Sequence, residues 1–418
     1  MQIVVAGQGY VGLPLAVRAA EVGHRVVGYD VDPHRVQRLA VGDSYVEDVA
    51  SSRLRAVLDT GAYCATADAG ALAGYDMAVI TVPTPLRDGV PDLTYIETCA
   101  RTLGVRLRPG ATVVLESTTY PGTTEELLLP ILEETSGLKA GVDFRVGFSP
   151  ERIAPGNSRW SFEGTPKLVS GIDATSLEVI KEFYDGIFHT TVPVSGPKVA
   201  ELAKLIENTF RLVNISMINE LATLTDRLGV NIWEAIDAAS TKPFGFTRFT
   251  PGPGVGGHCL PVDPLFLAWK IQEDLGVPFR FVELADDVNR HMPDYVVQRV
   301  LAALDKRGVP VTGARILLLG LTYKINATDL RNSPSARVAE LLAGLGADVR
   351  GAEPNIPSGA SPELAVRRVD ATAEEVASAD AVVLLMDHAR FDLAMIQKHS
   401  AWVLDCRNRM SGANVEVL

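Results

Sequence analysis

The chain has 418 residues, of which 47% are hydrophobic and 22% are charged, and its formal net charge is -12. This length is too great for one ordinary core, so two or three domains are expected in a globular, ordered protein. The negative charge argues against nucleic acid and anionic membrane surfaces as partners, because both would repel the chain. We therefore expect a small-molecule ligand.

The N-terminus predicts a βαβ unit, made of the strand QIVVAG, a glycine turn, the helix LPLAVRAAEVG and the strand HRVVGYD. Gly7, Gly9 and Gly12 form a G-x-G-x-x-G pattern in the turn, and Asp30 closes the second strand. The glycines let the backbone approach a pyrophosphate at the helix N-terminus, and the carboxylate can accept hydrogen bonds from a ribose. This context favours an NAD site over a glycine turn without a cofactor. Asp30 should repel the 2′-phosphate of NADP, a preference that the nearby Arg35 weakens.

Further strands, YDMAVITVP and ATVVLEST, extend this unit into a doubly wound sheet to about residue 195. Thr84 and Thr118 lie in loops that follow these strands. Ligands of such sheets bind beyond the carboxyl ends of the strands, so both threonines are candidates for the cofactor site. Capping a helix is the alternative role of such hydroxyl groups.

Residues 198–228 contain neither glycine nor proline, and the segment 196–229 predicts one long, buried helix. At ~1.5 Å per residue it would be about 50 Å long, enough to connect two domains and to pack against a symmetry mate. Lys204, Asn208 and Arg211 recur on one face of this helix. Buried between domains, this polar stripe would bind phosphates or a developing oxyanion; as an exposed edge it would have no such role.

The segment GPGVGGHCLPVDP, residues 252–264, surrounds Cys259 with glycines and prolines. Glycines permit close approach of the backbone and prolines remove flexibility, so we predict a rigid, irregular loop that presents a thiol. A thiol beside a nicotinamide suggests oxidation of an aldehyde through a thiohemiacetal and a thioester. If the same site also oxidises the parent alcohol, two NAD molecules are reduced in turn.

The four cysteines are Cys64, Cys99, Cys259 and Cys406. They lack paired spacing, which favours reduced thiols in the cytoplasm over a disulfide framework or a metal site. The N-terminus lacks the pattern of a signal peptide, and no apolar stretch reaches the ~18 residues of a membrane span.

The C-terminal part repeats the N-terminal pattern: ARILLLGLTYK, LLAGLGADVRGAEP and SADAVVLLMD echo the first strands and helix, and Glu353 falls where Asp30 falls. Only Gly320 of the glycine pattern remains, and Tyr323 and Lys324 follow it. We therefore predict a second Rossmann-like domain that binds another nucleotide-bearing ligand rather than a dinucleotide; a domain that only packs is the alternative.

The predicted fold class is α/β, with two Rossmann-like doubly wound domains joined by a long central helix and a helical dimerisation region. The predicted domains are an NAD-binding domain at 1–195, a central helical region with the cysteine loop at 196–300, and a C-terminal nucleotide-sugar-binding domain at 301–418.

Six segments taken in order, GYVGLP with Asp30, ESTTYPGTTEE, GFSPERIAPG, ELAKLIENTFRLVNI, GGHCLPVDP and LTYKINATDLRNSP, resemble those of the nucleotide-sugar 6-dehydrogenases. The resemblance runs from residue 1 to about 410. The motifs GGHC and SPERIAPG resemble those of the UDP-ManNAc/UDP-GlcNAc branch more than those of the UDP-glucose branch. It implies NAD-dependent, four-electron oxidation of the C6 hydroxymethyl group of a UDP-N-acetylhexosamine to the uronic acid. It also implies a homodimer built on the central helix.

The resemblance further implies roles for individual residues. Cys259 forms the thioester, and Lys204 with Asn208 stabilises oxyanions or acts as general acid and base. The residues implied to hold and activate water are Asp263, Glu151 and Thr118. Those implied to line the NAD site are Gly7, Gly9, Tyr10, Val11, Gly12, Asp30, Arg35, Thr84, Thr118 and Arg331. Those implied to contact the nucleotide sugar are Arg152, Lys204, Asn208, Arg211, Gly256, Tyr323, Lys324 and Arg407.

Alternatives remain for the substrate. UDP-glucose or another nucleotide sugar is the first, although Pro155 stands where the UDP-glucose branch has a glutamate. Thr250 and Leu265 replace larger rings that the family pattern leads us to expect near the sugar. A two-electron dehydrogenase of the 3-hydroxyacid or 6-phosphogluconate type needs neither the thiol nor the second nucleotide-like domain. A catalytically silent binding protein would not be expected to keep Lys204 and Cys259.

Overall fold

The structure is a computed structural model that describes residues 1–153, 160–357, 364 and 366–418; Pro155 lies outside the described residues. The chain folds into two compact units. Unit 1 comprises Met1–Glu207 and Leu265–Gly276, and unit 2 comprises Asn208–Pro264 and Val277–Leu418.

The first ten strands are short apolar runs that belong to unit 1. They are β1 (Gln2–Ala6), β2 (Arg25–Tyr29), β3 (Tyr63–Thr66), β4 (Met77–Ile80), β5 (Leu86–Arg87), β6 (Val90–Pro91), β7 (Thr112–Leu115), β8 (Arg145–Phe148), β9 (Lys167–Gly171) and β10 (Thr191–Pro193). β5 and β6 form a small antiparallel ribbon, and the other eight form one sheet in the order β10-β9-β8-β7-β4-β1-β2-β3. Only the β8–β9 pair of this sheet is antiparallel among the described strands.

Six helices connect these strands. They are α1 (Gly12–Glu21), α2 (Pro33–Ala40), α3 (Ser51–Asp59), α4 (Thr94–Gly104), α5 (Leu129–Ser136) and α6 (Ala174–Asp185). A short 3-10 helix covers Ala69–Leu72, and a π-helical turn at Thr123–Leu128 precedes α5. Aspartates cap α2 and α6. Asp32 accepts a hydrogen bond from the N–H of His34 at 2.9 Å, and Asp173 accepts one from the N–H of Ser176 at 2.7 Å.

The sheet of unit 1 is covered on both faces, as expected for parallel strands with helical crossovers. Ile3 and Val5 of β1 pack into one buried cluster with residues of α1, and Val4 and Ala6 pack into a second cluster with residues of α4. Successive side chains of a strand point to opposite faces, so the continuous apolar run of β1 is what places it at the centre of the sheet.

The next helices are α7 (Pro197–Leu228), α8 (Ile232–Ser240), α9 (Cys259–Leu275) and α10 (Arg280–Lys306), of which all but α8 are longer than α1 to α6. The boundaries between the units fall inside α7 and α9. Among the described residues, none of these or the other helices combines the length and the apolar character that crossing a bilayer requires.

The remaining elements of unit 2 form the second sheet and its helices. They are β11 (Arg315–Leu319), α11 (Pro334–Gly344), β12 (Asp348–Ala352), β13 (Arg367–Arg368), α12 (Ala373–Ala377), β14 (Ala381–Leu384), α13 (Leu393–His399), β15 (Val403–Asp405) and β16 (Val415–Val417). The strand order is β13-β12-β11-β14-β15-β16, and all five pairs are parallel.

The two sheets share one topology, which confirms the predicted fold class. The order β3-β2-β1-β4-β7-β8 in unit 1 corresponds to β13-β12-β11-β14-β15-β16 in unit 2, and both are the doubly wound order of a Rossmann fold. The equivalence extends to single hydrogen bonds. The N–H of Gly7 donates to the carbonyl of Tyr29 at 2.8 Å, and the N–H of Gly320 donates to that of Ala352 at 3.0 Å.

Within unit 2, α7 is buried on one face only. Ile218 and Ala222 pack against residues of α8, including Trp233. An apolar stripe on another face is exposed in the single chain; its members are Phe210, Met217, Leu221, Leu224 and Leu228. The prediction of a buried helix therefore holds for one face, and the apolar residues of the other face are left exposed by the described part of this chain.

A buried ion pair lies directly before the loop of Thr118. The ammonium group of Lys167 is 2.9 Å from the carboxylate of Glu116, with 5% and 2% of the side chains exposed. The hydroxyl of Tyr184 donates to the same carboxylate, and the ammonium group lies 5.1 Å from the centre of that ring. The pair joins the end of β7 to the beginning of β9.

We predict that Lys167→Met destabilises the protein by about 3–5 kcal/mol, because it leaves a buried carboxylate without its cation. The double variant Lys167→Met/Glu116→Gln should recover most of this loss, since it removes both charges. Chemical denaturation measures both.

The control is Lys181→Met, which breaks an exposed pair with Asp185 and should change stability by less than about 0.5 kcal/mol. Equal effects of Lys167→Met and Lys181→Met would contradict the assignment of a buried, costly charge pair.

Candidate active site

The glycine turn of unit 1 combines tight packing with an open approach. A Cβ atom at Gly12 would lie 1.8 Å from the carbonyl oxygen of Gly7, and Gly7 itself has a φ of +92°. These two glycines are therefore required by the contact between the turn and α1. A Cβ at Gly9 would meet nothing within 4 Å, so this position leaves the space that a pyrophosphate needs.

The start of α1 fits an anion as well. Its N-cap position, Val11, makes no side-chain capping bond, and the positive end of the helix dipole lies at this turn. Tyr10, in the same turn, is 38% exposed. The residues of this turn thus fit the pyrophosphate of NAD.

Asp30 is fixed by the backbone on both sides. Its carboxylate accepts hydrogen bonds from the N–H of Gln8 at 2.8 Å and from the N–H of Asp32 at 3.0 Å. Arg35 is 3.5 Å from the same carboxylate, and its side chain is 47% exposed. The carboxylate is held at the end of β2, where it fits a ribose, and the exposed guanidinium is the group that weakens the discrimination against a 2′-phosphate.

Thr84 and Thr118 are joined by a hydrogen bond. The hydroxyl of Thr84, which is 4% exposed, donates to the carbonyl of Thr118 at 2.8 Å. The two predicted loops, which follow β4 and β7, are therefore held together at the carboxyl edge of the sheet. The bond fixes the loop from which the side chain of Thr118 extends.

Glu151 and Lys204 are both buried, with 7% of each residue exposed. Burial raises the pKa of the Glu151 carboxyl, while the charge of Lys204 and a hydrogen bond from the N–H of Ile153 act in the opposite direction. Two predicted catalytic residues of unit 1 are thus electrostatically coupled. A carboxyl with a raised pKa beside a buried ammonium group is suited to general acid–base chemistry.

Arg152 has a partner that the sequence analysis missed. Its guanidinium donates two hydrogen bonds to Glu207, at 2.6 and 3.3 Å, and a third to the carbonyl of Pro166 at 2.8 Å. Glu207 lies between Lys204 and Arg211 in the sequence. The helix whose basic and amide residues predict the polar stripe therefore also carries the acid that orients Arg152.

Cys259 is the first residue of a helix, which corrects the prediction of an irregular loop that is neither helix nor strand. The first turn of a helix does not use its N–H groups in intrahelical bonds, so Pro261 is tolerated there, and only Pro264 lies inside the helix. The irregular part ends at His258. The consequence is chemical, because a helix N-terminus favours a thiolate.

The glycines before Cys259 are needed for contacts within unit 2. A Cβ at Gly257, which has a φ of +88°, would lie 2.6 Å from the ring of Tyr323, and a Cβ at Gly256 would lie 2.7 Å from the carbonyl oxygen of Asn332. The segment is also held at its beginning, where the N–H of Gly252 donates to the side chain of Asn219 at 3.0 Å. A side chain at Gly256 or Gly257 would therefore displace the segment that carries the thiol.

Asn208 and Asp263 form a pair in unit 2. The amide of Asn208 donates to the carboxylate of Asp263 at 2.6 Å, and Asp263 is 1% exposed. The third predicted member of the polar stripe, Arg211, is exposed in the single chain. His258 is buried enough that its pKa is lowered, with the charge of Arg331 acting in the same direction, which favours the neutral imidazole.

In the second Rossmann-like domain, the position of Asp30 is taken by Glu353, as predicted. Its carboxylate accepts hydrogen bonds from the N–H groups of Leu321 and Thr322, at 2.8 and 3.2 Å, and from Nε2 of His388 at 2.9 Å. His388 Nδ1 accepts from the N–H of Asn326 at 2.9 Å, so its proton lies on Nε2. These bonds occupy a carboxylate that the corresponding dinucleotide site offers to a ribose.

The hydrogen bonds of Glu353 and His388 to Leu321, Thr322 and Asn326 position the segment between them. This segment contains Tyr323 and Lys324, which are both half-buried. Further along it, the guanidinium of Arg331 donates three hydrogen bonds to the carboxylate of Asp329. Arg407 donates from Nε to the carbonyl of Leu385 at 2.7 Å. All four predicted binding residues of this domain are therefore on loops at the carboxyl ends of its strands.

The described residues contain no group of three or more histidine, cysteine, aspartate or glutamate side chains that could hold a metal ion. All four cysteines are reduced, and Cys259 is partly exposed. The reactive side chains of the candidate site are a thiol, a buried lysine and carboxyl groups.

Three parts of the chain match one family in order. Residues 1–188, 198–291 and 317–412 match the NAD binding domain, the central domain and the UDP binding domain of the UDP-glucose/GDP-mannose dehydrogenase family. The resemblance expected from the motifs is thereby confirmed.

The chain is also similar to individual nucleotide-sugar dehydrogenases over most of its length. The chain is 36% identical over 392 residues to UDP-N-acetyl-D-mannosamine dehydrogenase of Pyrococcus horikoshii, covering 94% of this chain and 90% of that protein. It is 39% identical over 347 residues to UDP-N-acetyl-D-glucosamine 6-dehydrogenase of Pseudomonas aeruginosa, covering 82% and 80%. The solved structure of UDP-D-ManNAc dehydrogenase from Pyrococcus horikoshii has a TM-score of 0.90 to this chain at 33% identity, covering 100% and 99% of the two chains.

The raised pKa of Glu151 generates a prediction about pH. The native state keeps this proton at pH values where the unfolded chain, with a glutamate pKa of 4.5, has released it. The carboxyl therefore contributes stability at low pH that is lost as the pH rises through its native pKa. Glu151→Gln should raise the melting temperature at about pH 8 more than at about pH 4.5, and it should lower kcat at least about 100-fold.

The matched control is Glu133→Gln. A hydrogen bond from Lys139 lowers the pKa of Glu133, so this variant should lose stability at high pH rather than gain it. Thermal unfolding across pH measures both variants, and a Glu151→Gln protein that melts lower at high pH would contradict the burial argument.

Proposed function

Because the chain belongs to the UDP-glucose/GDP-mannose dehydrogenase family, we propose that it oxidises the C6 hydroxymethyl group of a UDP-N-acetylhexosamine to the uronic acid. The substrate in this proposal is UDP-ManNAc or UDP-GlcNAc, as the names of its relatives suggest. The observation that carries the chemistry is the placement of Cys259 as the first residue of α9, behind glycines that accept no side chain.

The first oxidation converts the alcohol to an aldehyde. NAD, when bound, accepts one hydride in each of the two oxidations. Lys204 stabilises the negative charge that develops on the C6 oxygen or acts there as general acid and base. Asn208, one helical turn further along α7, assists as a hydrogen-bond donor. The burial of Lys204 supports this role, because an ammonium group shielded from water interacts strongly with an oxyanion.

The second oxidation uses the thiol. The thiolate of Cys259 adds to the aldehyde carbon to form a thiohemiacetal, and a second NAD held at the glycine turn and Asp30 would supply the hydride acceptor for its oxidation. The product is a thioester, which water hydrolyses to the carboxylate with release of the thiol. One alcohol, one water and two NAD⁺ would thus give one carboxylate, two NADH and three protons.

Hydrolysis needs a base that holds water near the thioester. Glu151, Thr118 and Asp263 are the residues that we propose for this task. The raised pKa of Glu151 favours a carboxyl that can both accept and return a proton. The hydrogen bond from Asn208 keeps Asp263 in one orientation.

We assign the nucleotide sugar to residues of both parts of the sequence. The proposed contacts are Arg152, Lys204, Asn208, Arg211, Gly256, Tyr323, Lys324 and Arg407. The proposed NAD contacts are Gly7, Gly9, Tyr10, Val11, Gly12, Asp30, Arg35, Thr84, Thr118 and Arg331. The match of residues 317–412 to a UDP binding domain supports a uridine nucleotide.

We also propose that the chain is divided into domains at 1–195, 196–300 and 301–418. We further propose that the protein acts in the cytoplasm, because reduced thiols and a need for NAD favour that compartment. UDP-glucose, or the sugar of another nucleotide, is the alternative substrate.

Cys259→Ala tests the chemistry. The wild type should form two NADH for each sugar consumed, and the variant should lose at least about 100-fold in kcat for the complete reaction. Among UDP-ManNAc, UDP-GlcNAc and UDP-glucose, we expect one acetylated sugar to be preferred over UDP-glucose by at least about 10-fold in kcat/KM. NADH absorbance and chromatography of the sugar nucleotides measure both.

The matched control for this experiment is Cys64→Ala, because Cys64 is an exposed thiol on β3. It should retain wild-type activity. One NADH per sugar, or an active Cys259→Ala variant, would exclude the thioester route.

We also propose a homodimer that covers the apolar stripe of α7. Five large side chains of this stripe are between 39% and 74% exposed in the single chain, and their spacing of three, four and seven residues gives one continuous face. A monomeric protein rarely exposes such a surface. The stripe is thus the surface that a second copy would bury.

Leu221→Glu should therefore give a monomer, since it places a charge in the middle of the buried stripe. Arg227→Glu introduces the same residue on the same helix outside the stripe and should leave the dimer intact. Light scattering after size-exclusion chromatography distinguishes the two masses, and a dimeric Leu221→Glu protein would place the interface elsewhere.

A further inference from the structure

Both backbone polar groups of Gly257, its N–H and its carbonyl, form hydrogen bonds with one segment of unit 2. The N–H of Gly257 donates to the carbonyl of Arg331 at 3.0 Å. The carbonyl of Gly257 accepts a hydrogen bond from the side-chain amide of Asn332, also at 3.0 Å. Two consecutive residues thus form a clamp on a residue that precedes Cys259 by two positions.

The clamp depends on an unusual backbone conformation. Asn332 has a φ of +48°, a left-handed conformation that costs most residues strain and that asparagine tolerates better than others. This conformation turns the chain immediately before Ser333, which caps α11 through a hydrogen bond to the N–H of Ser335. The side chain of Asn332 is thereby directed to the Gly257 carbonyl rather than toward α11, which begins at Pro334.

The ring of Tyr323 closes the third side of Gly257, since a Cβ there would lie 2.6 Å from it. The glycine therefore cannot shift toward the ring, and the two hydrogen bonds oppose a shift away from it. His258 is the only residue between this clamped peptide and the first residue of α9. The start of the helix, and with it the thiol, is located by these contacts.

We propose that Asn332 is a positioning residue for the Cys259 nucleophile. It acts through the Gly257 peptide and does not touch the reacting atoms. The proposal rests on the proposed function in one respect, which is the role of Cys259 as the nucleophile. Displacement of a reacting group by about 1 Å can cost 100-fold in rate, so the loss of one clamp bond should appear in kcat rather than in substrate binding.

The test uses Asn332→Gly and Asn332→Asp in the full-length protein. Glycine accepts the left-handed backbone and removes only the amide. Aspartate keeps the shape but places a carboxylate oxygen against the Gly257 carbonyl, where both are acceptors. We expect kcat to fall about 10- to 100-fold for Asn332→Gly, with KM within about 2-fold of wild type, and to fall further for Asn332→Asp.

A second measurement follows the thiol without substrate. The rate of Cys259 alkylation by iodoacetamide, read by mass spectrometry of its peptide across pH, should decrease about 3- to 10-fold at neutral pH in Asn332→Gly. The midpoint of the alkylation profile should move to higher pH, because without the clamp the first turn of α9 is less ordered and stabilises the thiolate less. A residue that only stabilised the fold would lower the melting temperature without moving this midpoint.

Asn326→Gly is the matched control. Asn326 has a φ of +58° in the same segment, but its side chain accepts a hydrogen bond from the N–H of Ala389 rather than holding the Gly257 peptide. It should leave the alkylation midpoint unchanged.

The outcomes separate the two proposals. If Cys259→Ala is inactive while Asn332→Gly keeps wild-type kcat and alkylation, the clamp has no positioning role and the proposed function stands. If Cys259→Ala is active, the proposed function itself fails. An equal shift of the midpoint in Asn326→Gly and Asn332→Gly would also overturn the proposal, because it would show general loosening of the segment.

Discussion

Close backbone packing around the residues before Cys259 is the constraint on which the candidate chemistry depends. Gly256 and Gly257 lie against the backbone of Asn332 and the ring of Tyr323, at distances that no Cβ atom could tolerate. A nucleophile has to be held in one place, and contacts without intervening side chains provide the least freedom. The position of Cys259 at the start of α9 then adds the positive end of a helix dipole to that fixed geometry. Unit 2 therefore locates the thiol and favours its reactive form.

The two Rossmann-like sheets show how one topology is adapted to two ligands. In unit 1, Gly9 leaves open space and the carboxylate of Asp30 lies at the end of β2. In unit 2, Glu353 occupies the corresponding place, but its carboxylate accepts hydrogen bonds from three backbone N–H groups and from His388. An acidic residue at one position of the fold thus suits a cofactor in the first sheet and fixes a loop in the second.

Buried charges in unit 1 have different tasks. Lys167 and Glu116 neutralise each other and join two strands. Glu151 and Lys204 are also buried, but burial keeps the pKa of Glu151 raised despite the lysine. The first arrangement is structural, because both charges are satisfied. The second leaves a group able to exchange protons, which costs stability at high pH and is typical of a catalytic site.

The sequence by itself determined the fold class, the internal repeat and the family, because apolar strands, glycine turns and ordered motifs are local signals that each survive without knowledge of the rest. It also indicated Cys259, since a buried structural thiol does not need glycines and prolines on both sides. The sequence did not show that Cys259 begins a helix, because prolines suggest a loop until the free N–H groups of a first turn are considered. Nor did it pair Arg152 with Glu207 or Asn332 with Gly257, which lie far apart along the chain. Those contacts and the burial that raises the pKa of Glu151 were decided only by the tertiary structure, because distances and solvent exclusion arise from segments that no local pattern connects.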